Sequence, residues 1–292
     1  MCAVLDALIF PLLLSAGLVA THLGLASGLS AEVVTTSVAL LMLTLVIPLE
    51  RLRPERAAFR RLDQPLRVLV GHFLLGAELG TVLGIVPALA LGEFLAGLSR
   101  AAWDATPWPD TMPWPAQVVL GLALADAAGY VQHRALHARR SLWPFHAVHH
   151  AVARLGFTET GRFHLVDFAT ATFLSYLPLI ALGAPEALLT WVAAATTVLG
   201  ILQHANLRMR TAPLLDLLVC TPAVHWRHHA RSDPAGNYAT IFPLVDAALG
   251  TYRGGADRER VDIGADAPPP EGLRAQLLEP FRASWRALRA SR

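Results

Sequence analysis

Residues 126–150 read DAAGYVQHRALHARRSLWPFHAVHH, with five histidines in twenty-five positions at the end of an apolar stretch. An α-helix turns 100° per residue, so His133 and His137 stand one turn apart on one face and can reach a single metal ion. In HAVHH, His146 and His149 share a face while His150 points about 100° away from His149, so one short helix can serve two metals. The pattern recurs downstream as His225, His228 and His229 in HWRHH, and His204 stands in QHAN. Two HxxHH motifs and one HxxxH pair supply eight imidazoles, four for each of two metals, and His204 is a ninth.

The surroundings of this stretch are those of a membrane protein. Of 292 residues, 54% are hydrophobic and only 16% charged, and the mean hydropathy is +0.45. A soluble domain carries about 25% charged residues, so this chain has too few to coat a water-exposed surface. Ordinary Gly and Pro contents and two cysteines exclude collagen-like, disordered and disulfide-scaffold classes. Cys2 and Cys220 are expected as reduced thiols, and nothing points to a nucleic-acid partner.

About 20 apolar residues are needed to cross the hydrocarbon layer. Six segments qualify, near 5–27, 31–50, 67–98, 116–136, 167–184 and 186–204. The first lacks a basic leader and is read as a retained span. The third is long for one crossing, and Gly84 and Pro87 suggest a break or a tilted, partly re-entrant helix. The 51–66 loop holds five arginines and Arg67 adds a sixth, against Arg100 alone in 99–115. This asymmetry places the first loop, both termini and the histidine motifs in the cytosol. The expected fold is therefore all-α: a polytopic membrane bundle with a histidine-lined di-metal site at its cytosolic face. The expected organisation is 1–110 as membrane scaffold, 111–252 as the domain that carries the histidine motifs and 253–292 as a polar cytosolic tail. Leu273, Leu277, Leu278, Phe281, Trp285 and Leu288 recur there at helical spacing among arginines, an amphipathic helix for the membrane surface or the protein's own face.

All-imidazole sites suit Zn, Cu, Fe or Ni. Structural zinc favours thiolates, and no glutamate lies within the motifs as hydrolytic base, so iron is favoured over zinc. Asp126, two turns below His133 and close to it on the helical wheel, needs a partner inside the membrane; a link to the site is one, a plain interhelical hydrogen bond another. Asn206, two residues after His204, is placed to orient an imidazole. His22 and His72 read as interface or core residues. Trp143, Phe145 and Trp226 read as packing around the motifs, and Glu78 and Glu93 as cavity-lining groups or markers of a helix break.

The residues Asp126, Tyr130, His133, Arg134 and His137, then WPFHAVHH, RFH, QHAN, PAVHWRHH, Asn237-Tyr238, Asp246 and Gly250-Thr251 resemble the fatty acid hydroxylase and sterol desaturase superfamily across roughly 116–252. The resemblance implies two non-haem irons, dioxygen as co-substrate and a lipid substrate: a fatty acyl chain, sterol, carotenoid or ether lipid, hydroxylated or desaturated. Where that family carries proline after its RxH histidine, Leu165 follows His164 here, which sets His164 beside the site or on its substrate side. Electrons are expected from a separate cytochrome, ferredoxin or reductase, since the chain shows no dinucleotide fingerprint and no iron–sulfur cysteine set. The competing expectation is a metal-binding membrane protein without oxidase activity, a transporter or a lipid-binding module. Transport sites sit near the midplane between repeats, whereas these ligands gather at one face.

Overall fold

The computed structural model describes residues 2–231, 236–265 and 267–290. Among them the regular structure is helical, with two isolated bridges, Pro54 with Leu207 and Ala230 with Ile263. The long helices are α1 (Cys2–Ala26), α2 (Ala31–Leu52), α4 (Leu79–Trp103), α5 (Trp114–Ala138), α7 (Leu165–Leu182) and α8 (Glu186–His204). The short ones are α3 (Leu66–His72), α6 (Trp143–His150), α9 (Pro213–Leu218), α10 (Pro222–His228) and α11 (Leu244–Ala248), and α12 (Leu273–Ala290) closes the chain.

Five stretches are long and apolar enough to cross a membrane: Val4–Ala26, Ala31–Leu52, Leu66–Trp103, Leu165–Leu182 and Glu186–His204. The expected crossing at 116–136 is helical but is not among these five. Asp126, Gln132, His133, Arg134 and His137 lower the hydropathy of α5. Its ends nevertheless meet those of its neighbours. Near its start, Trp108 donates its indole N–H to Gln117 and its backbone N–H to the Leu182 carbonyl at the end of α7. Near its end, His133 meets His146.

The third span departs from expectation in a different way. Gly84 and Pro87 do not break it; Leu66–Trp103 runs on, interrupted only by a π-helical turn at Phe73–Glu78. Gly84 serves packing instead. A Cβ at Gly76, Gly80, Gly84 or Gly92 would collide with Phe163, Phe168, Ala169 or Ile180 in turn, so α4 and α7 run parallel in near backbone contact. Glu78 and Glu93 both face outward, and Glu93 pairs with Arg100.

The largest core cluster joins α1, α2 and α8 through Phe10, Met42, Val46, Val198 and Leu202. A second, around Leu179, Leu188 and Val192, fixes α5 against α7 and α8 at the far end. Burying such side chains is worth about 1.5–3 kcal/mol each. Polar contacts gather at the other end. Glu50, at the end of α2, accepts from the backbone N–H groups of Asn206 and Phe157 (2.6 and 3.0 Å), and Asp6 in α1 pairs with Arg53. The starts of α1, α3 and α7 and the ends of α2, α5 and α8 thus share one face, and the histidine motifs lie there.

Candidate metal centre

Nine histidines converge into two groups. His133, His137, His146, His150 and His228 form one; His149, His204, His225 and His229 form the other. Within each group the ligand nitrogens lie within 4.8 Å of one another. α5 supplies the first pair, α6 and α10 the two HxxHH motifs, and the last turn of α8 supplies His204. Adjacent histidines divide between the groups, as expected. The partner within each motif does not follow expectation: His146 joins His150 and His225 joins His229, four apart, rather than the residue three apart. Four residues return to within 40° of the starting direction, three only to within 60°. The groups are therefore five and four, with His204 completing the smaller.

The outer ring nitrogens set the tautomers. His133 Nδ1 donates to the Tyr238 carbonyl (2.7 Å), His146 Nδ1 to Asp167 Oδ2 (2.7 Å) and His228 Nδ1 to the Gly236 carbonyl (2.7 Å). In the other group His149 Nδ1 donates to the Arg162 carbonyl (3.2 Å) and His204 Nδ1 to the Gly200 carbonyl (2.8 Å). Each partner can only accept, so the proton sits on Nδ1 and the Nε2 lone pair points inward. His133 Nε2 then faces His146 Nε2 at 2.9 Å, and His149 Nε2 faces His204 Nε2 at 3.3 Å, lone pair against lone pair. A cation between them turns this repulsion into coordination. His137 Nε2 is buried without a hydrogen-bond partner, which fits the same reading. The donor set therefore fits two metal ions of the imidazole-preferring kind. Burial and neighbouring imidazoles hold His149, His150, His225 and His229 well below the ordinary histidine pKa and bring His228 down to about 3, so these rings are neutral and ready to ligate.

Asp167 is the residue the sequence reading missed. Among the described residues it is the acid that hydrogen-bonds a clustered histidine, and Gln132 donates to its second oxygen (3.1 Å). Its signal in sequence is only that an acid follows three residues after His164. Asp126, by contrast, reaches no histidine. It accepts from the backbone N–H groups of Thr240, Ile241 and Phe242 (2.8, 3.0 and 2.7 Å), while Asp246 takes those of Tyr238 and Ala239 (2.8 Å each). Two buried carboxylates thus hold five consecutive amides of the loop whose Gly236 and Tyr238 carbonyls orient His228 and His133.

Asn206 does not orient an imidazole either. Its side chain pairs with the N–H and carbonyl of Arg56 (2.9 and 3.0 Å) and pins the 53–56 segment. His164 caps α7: Nδ1 accepts from Val166 N–H and Nε2 donates to the Leu277 carbonyl, so no nitrogen remains for a metal. Trp143 packs on His137 and His150, Phe145 on His164, and Trp226 lies between Phe59 and the Arg258 guanidinium. His72 is buried in a polar junction with Phe163 and Gln276.

Fold and site together define a helical membrane protein built around a two-centre histidine site. The Fatty acid hydroxylase family model matches residues 118–251. Ornithine lipid hydroxylase of Rhizobium tropici is 34% identical over 290 residues, 97% of this chain and 86% of that protein. Alkylglycerol monooxygenase of Caenorhabditis elegans is 25% identical over 187 residues, 61% of this chain and 34% of that protein. No solved structure matches. The chain belongs to the fatty acid hydroxylase family.

Proposed function

We propose that this protein hydroxylates a C–H bond of a membrane lipid with dioxygen at a di-iron centre. The balance is R–H + O2 + 2 electrons + 2 protons → R–OH + H2O. The observation that carries the reading is the inward convergence of nine imidazoles at one end of a membrane bundle. The 34% identity to a lipid hydroxylase across almost the whole chain supports hydroxylation over desaturation and a polar lipid as substrate.

Two irons held by His133, His137, His146, His150 and His228 and by His149, His204, His225 and His229 would supply the reductive activation of dioxygen. The chain's own residues supply the rest. Asp167 holds His146 in one tautomer and strengthens it as a donor. Asp126 and Asp246 hold the loop that orients His133 and His228, and Asn206 and His164 keep the 53–56 segment and the start of α7 in place; all are positioning residues. Trp143 and Tyr238 cover the five-histidine group and keep water from it.

In this reading both termini and the centre face the cytosol, where a separate cytochrome, ferredoxin or reductase delivers electrons. Support comes from the 51–66 loop. Its acids turn inward, Glu55 to Arg258 and Asp63 to Arg162, while Arg60 and Arg61 stay exposed toward an acidic partner. The test is turnover of reconstituted protein under 18O2 with a donor system. Label in a lipid hydroxyl supports the proposal, an unlabelled alkene redirects it to desaturation, and undiminished product without oxygen overturns it.

A further inference from the structure

The last helix, α12, divides into three sectors. One is docked on the protein. Leu273 closes over Gly71 of α3. Gln276, 1% exposed, lies 2.9 Å from His72 Nε2 through its amide oxygen, accepts there from Arg162 Nη2 (3.2 Å), and donates to the Pro270 carbonyl. The Leu277 carbonyl accepts from His164. The second sector is apolar and faces outward: Leu278, Phe281, Trp285 and Leu288 are 42, 50, 58 and 47% exposed and lie within an arc of about 80°. Beside them, in the third, stand Arg282, Arg286 and Arg289, with Arg289 over the Trp285 ring at 5.0 Å.

We propose that α12 lies in the headgroup layer of the bilayer, with the Leu278–Leu288 stripe among the acyl chains, Arg282 and Arg289 on anionic headgroups, and Arg286, paired with Glu279, on the aqueous side. Three observations select a membrane surface as the occupant. The docking point, Gly71 and His72, lies about 9 Å along the helix from the start of the span at Leu66, and interfacial helices sit about 5–10 Å deep. Leu66, Val70, Phe73 and Leu74, which flank that point, are exposed on the spanning segment and continue the apolar surface. Finally, the arginines border the stripe on one side, the arrangement in which long cationic side chains reach headgroups while their stems cover hydrocarbon.

This contact reaches the metal centre through short links. Arg162, which meets Gln276, holds His149 through its carbonyl, and His164, which meets Leu277 and Phe281, caps the helix that carries Asp167. Docking of α12 on the bilayer therefore braces both histidine groups from the lipid side. The inference needs no assumption about the reaction.

The test uses the full chain in nanodiscs containing anionic phosphatidylglycerol, with Cys2→Ser to remove a labelling site; Cys220 is buried. A spin label is placed at Trp285→Cys, at Leu278→Cys and, as the aqueous reference, at Arg286→Cys. The expected result is an oxygen-to-nickel-chelate accessibility ratio several-fold higher at 278 and 285 than at 286, and lower at both after Arg282→Gln with Arg289→Gln. High nickel access at 278 and 285 overturns the proposal in favour of a water-exposed helix. Exclusion of both probes with dipolar broadening overturns it in favour of a second copy of the chain. Leu278 and Trp285 are exposed, so neither label disturbs the docked face.

Discussion

The two histidine groups use one kind of donor but are supported differently. In the five-histidine group, His146 rests on a carboxylate, and His133 and His228 rest on carbonyls of a loop that Asp126 and Asp246 hold. In the four-histidine group, His149 and His204 rest on neutral carbonyls, the second within its own helix. Either partner fixes the tautomer and direction of an imidazole, and a charged carboxylate raises its basicity more than a neutral carbonyl does. The difference implies that the five-histidine side depends on two buried carboxylates and the loop they hold, while the four-histidine side depends on the Arg162 backbone and, at His204, on local helix geometry.

The largest test removes ligands. His228→Ala and His229→Ala, neighbours that serve different groups, should each abolish turnover and lower bound iron, and the remaining iron should differ between the two variants in Mössbauer spectra. Identical residual spectra would break the division into two groups. Acidification comes next. The unfolded chain takes up protons on histidine near pH 6.5, while the folded rings of His149, His150, His225, His228 and His229 refuse them. Stability is complete above about pH 6.5 and is lost as pH falls below it, by up to about 1.4 kcal/mol per ring for each pH unit. Thermal unfolding of the metal-free protein from pH 8 to 5, in steps of about one unit, measures it; a flat Tm would show that the rings are not held neutral.

Asp167→Asn sharpens the comparison, because it touches one group alone. Metal affinity or activity should fall about 10- to 100-fold, with the spectroscopic change confined to one iron. Asp246→Asn loosens the loop and should cost about 1–3 kcal/mol of stability, with weaker binding on the five-histidine side. The smallest effect is expected at His22, remote from both groups, where His22→Ala should leave iron content and turnover unchanged.

What the sequence made legible follows from range. Histidine spacing is a local property of a helix, so the motifs, their one-sided placement and the splitting of adjacent histidines could be read directly. Asp167 lies 21 residues from His146, and only the folding of α7 against α6 brings them together. Asp126 was correctly read as needing a partner, but its partners are backbone N–H groups more than a hundred residues away, and an amide carries no side-chain signature. Gly84 was legible as a special position and misread as a break; glycine spaced by four on a membrane helix also marks close helix packing.

That glycine seam has a consequence for traffic. Along Gly80, Gly84 and Gly92, α4 meets α7 so closely that even a methyl group would collide, and Gly76 in the preceding π turn meets Phe163 just before α7 in the same way, so no acyl chain passes along this seam to the histidines. One flank of the bundle is a sealed wall, and a lipid diffusing in the membrane plane must find its doorway elsewhere on the perimeter.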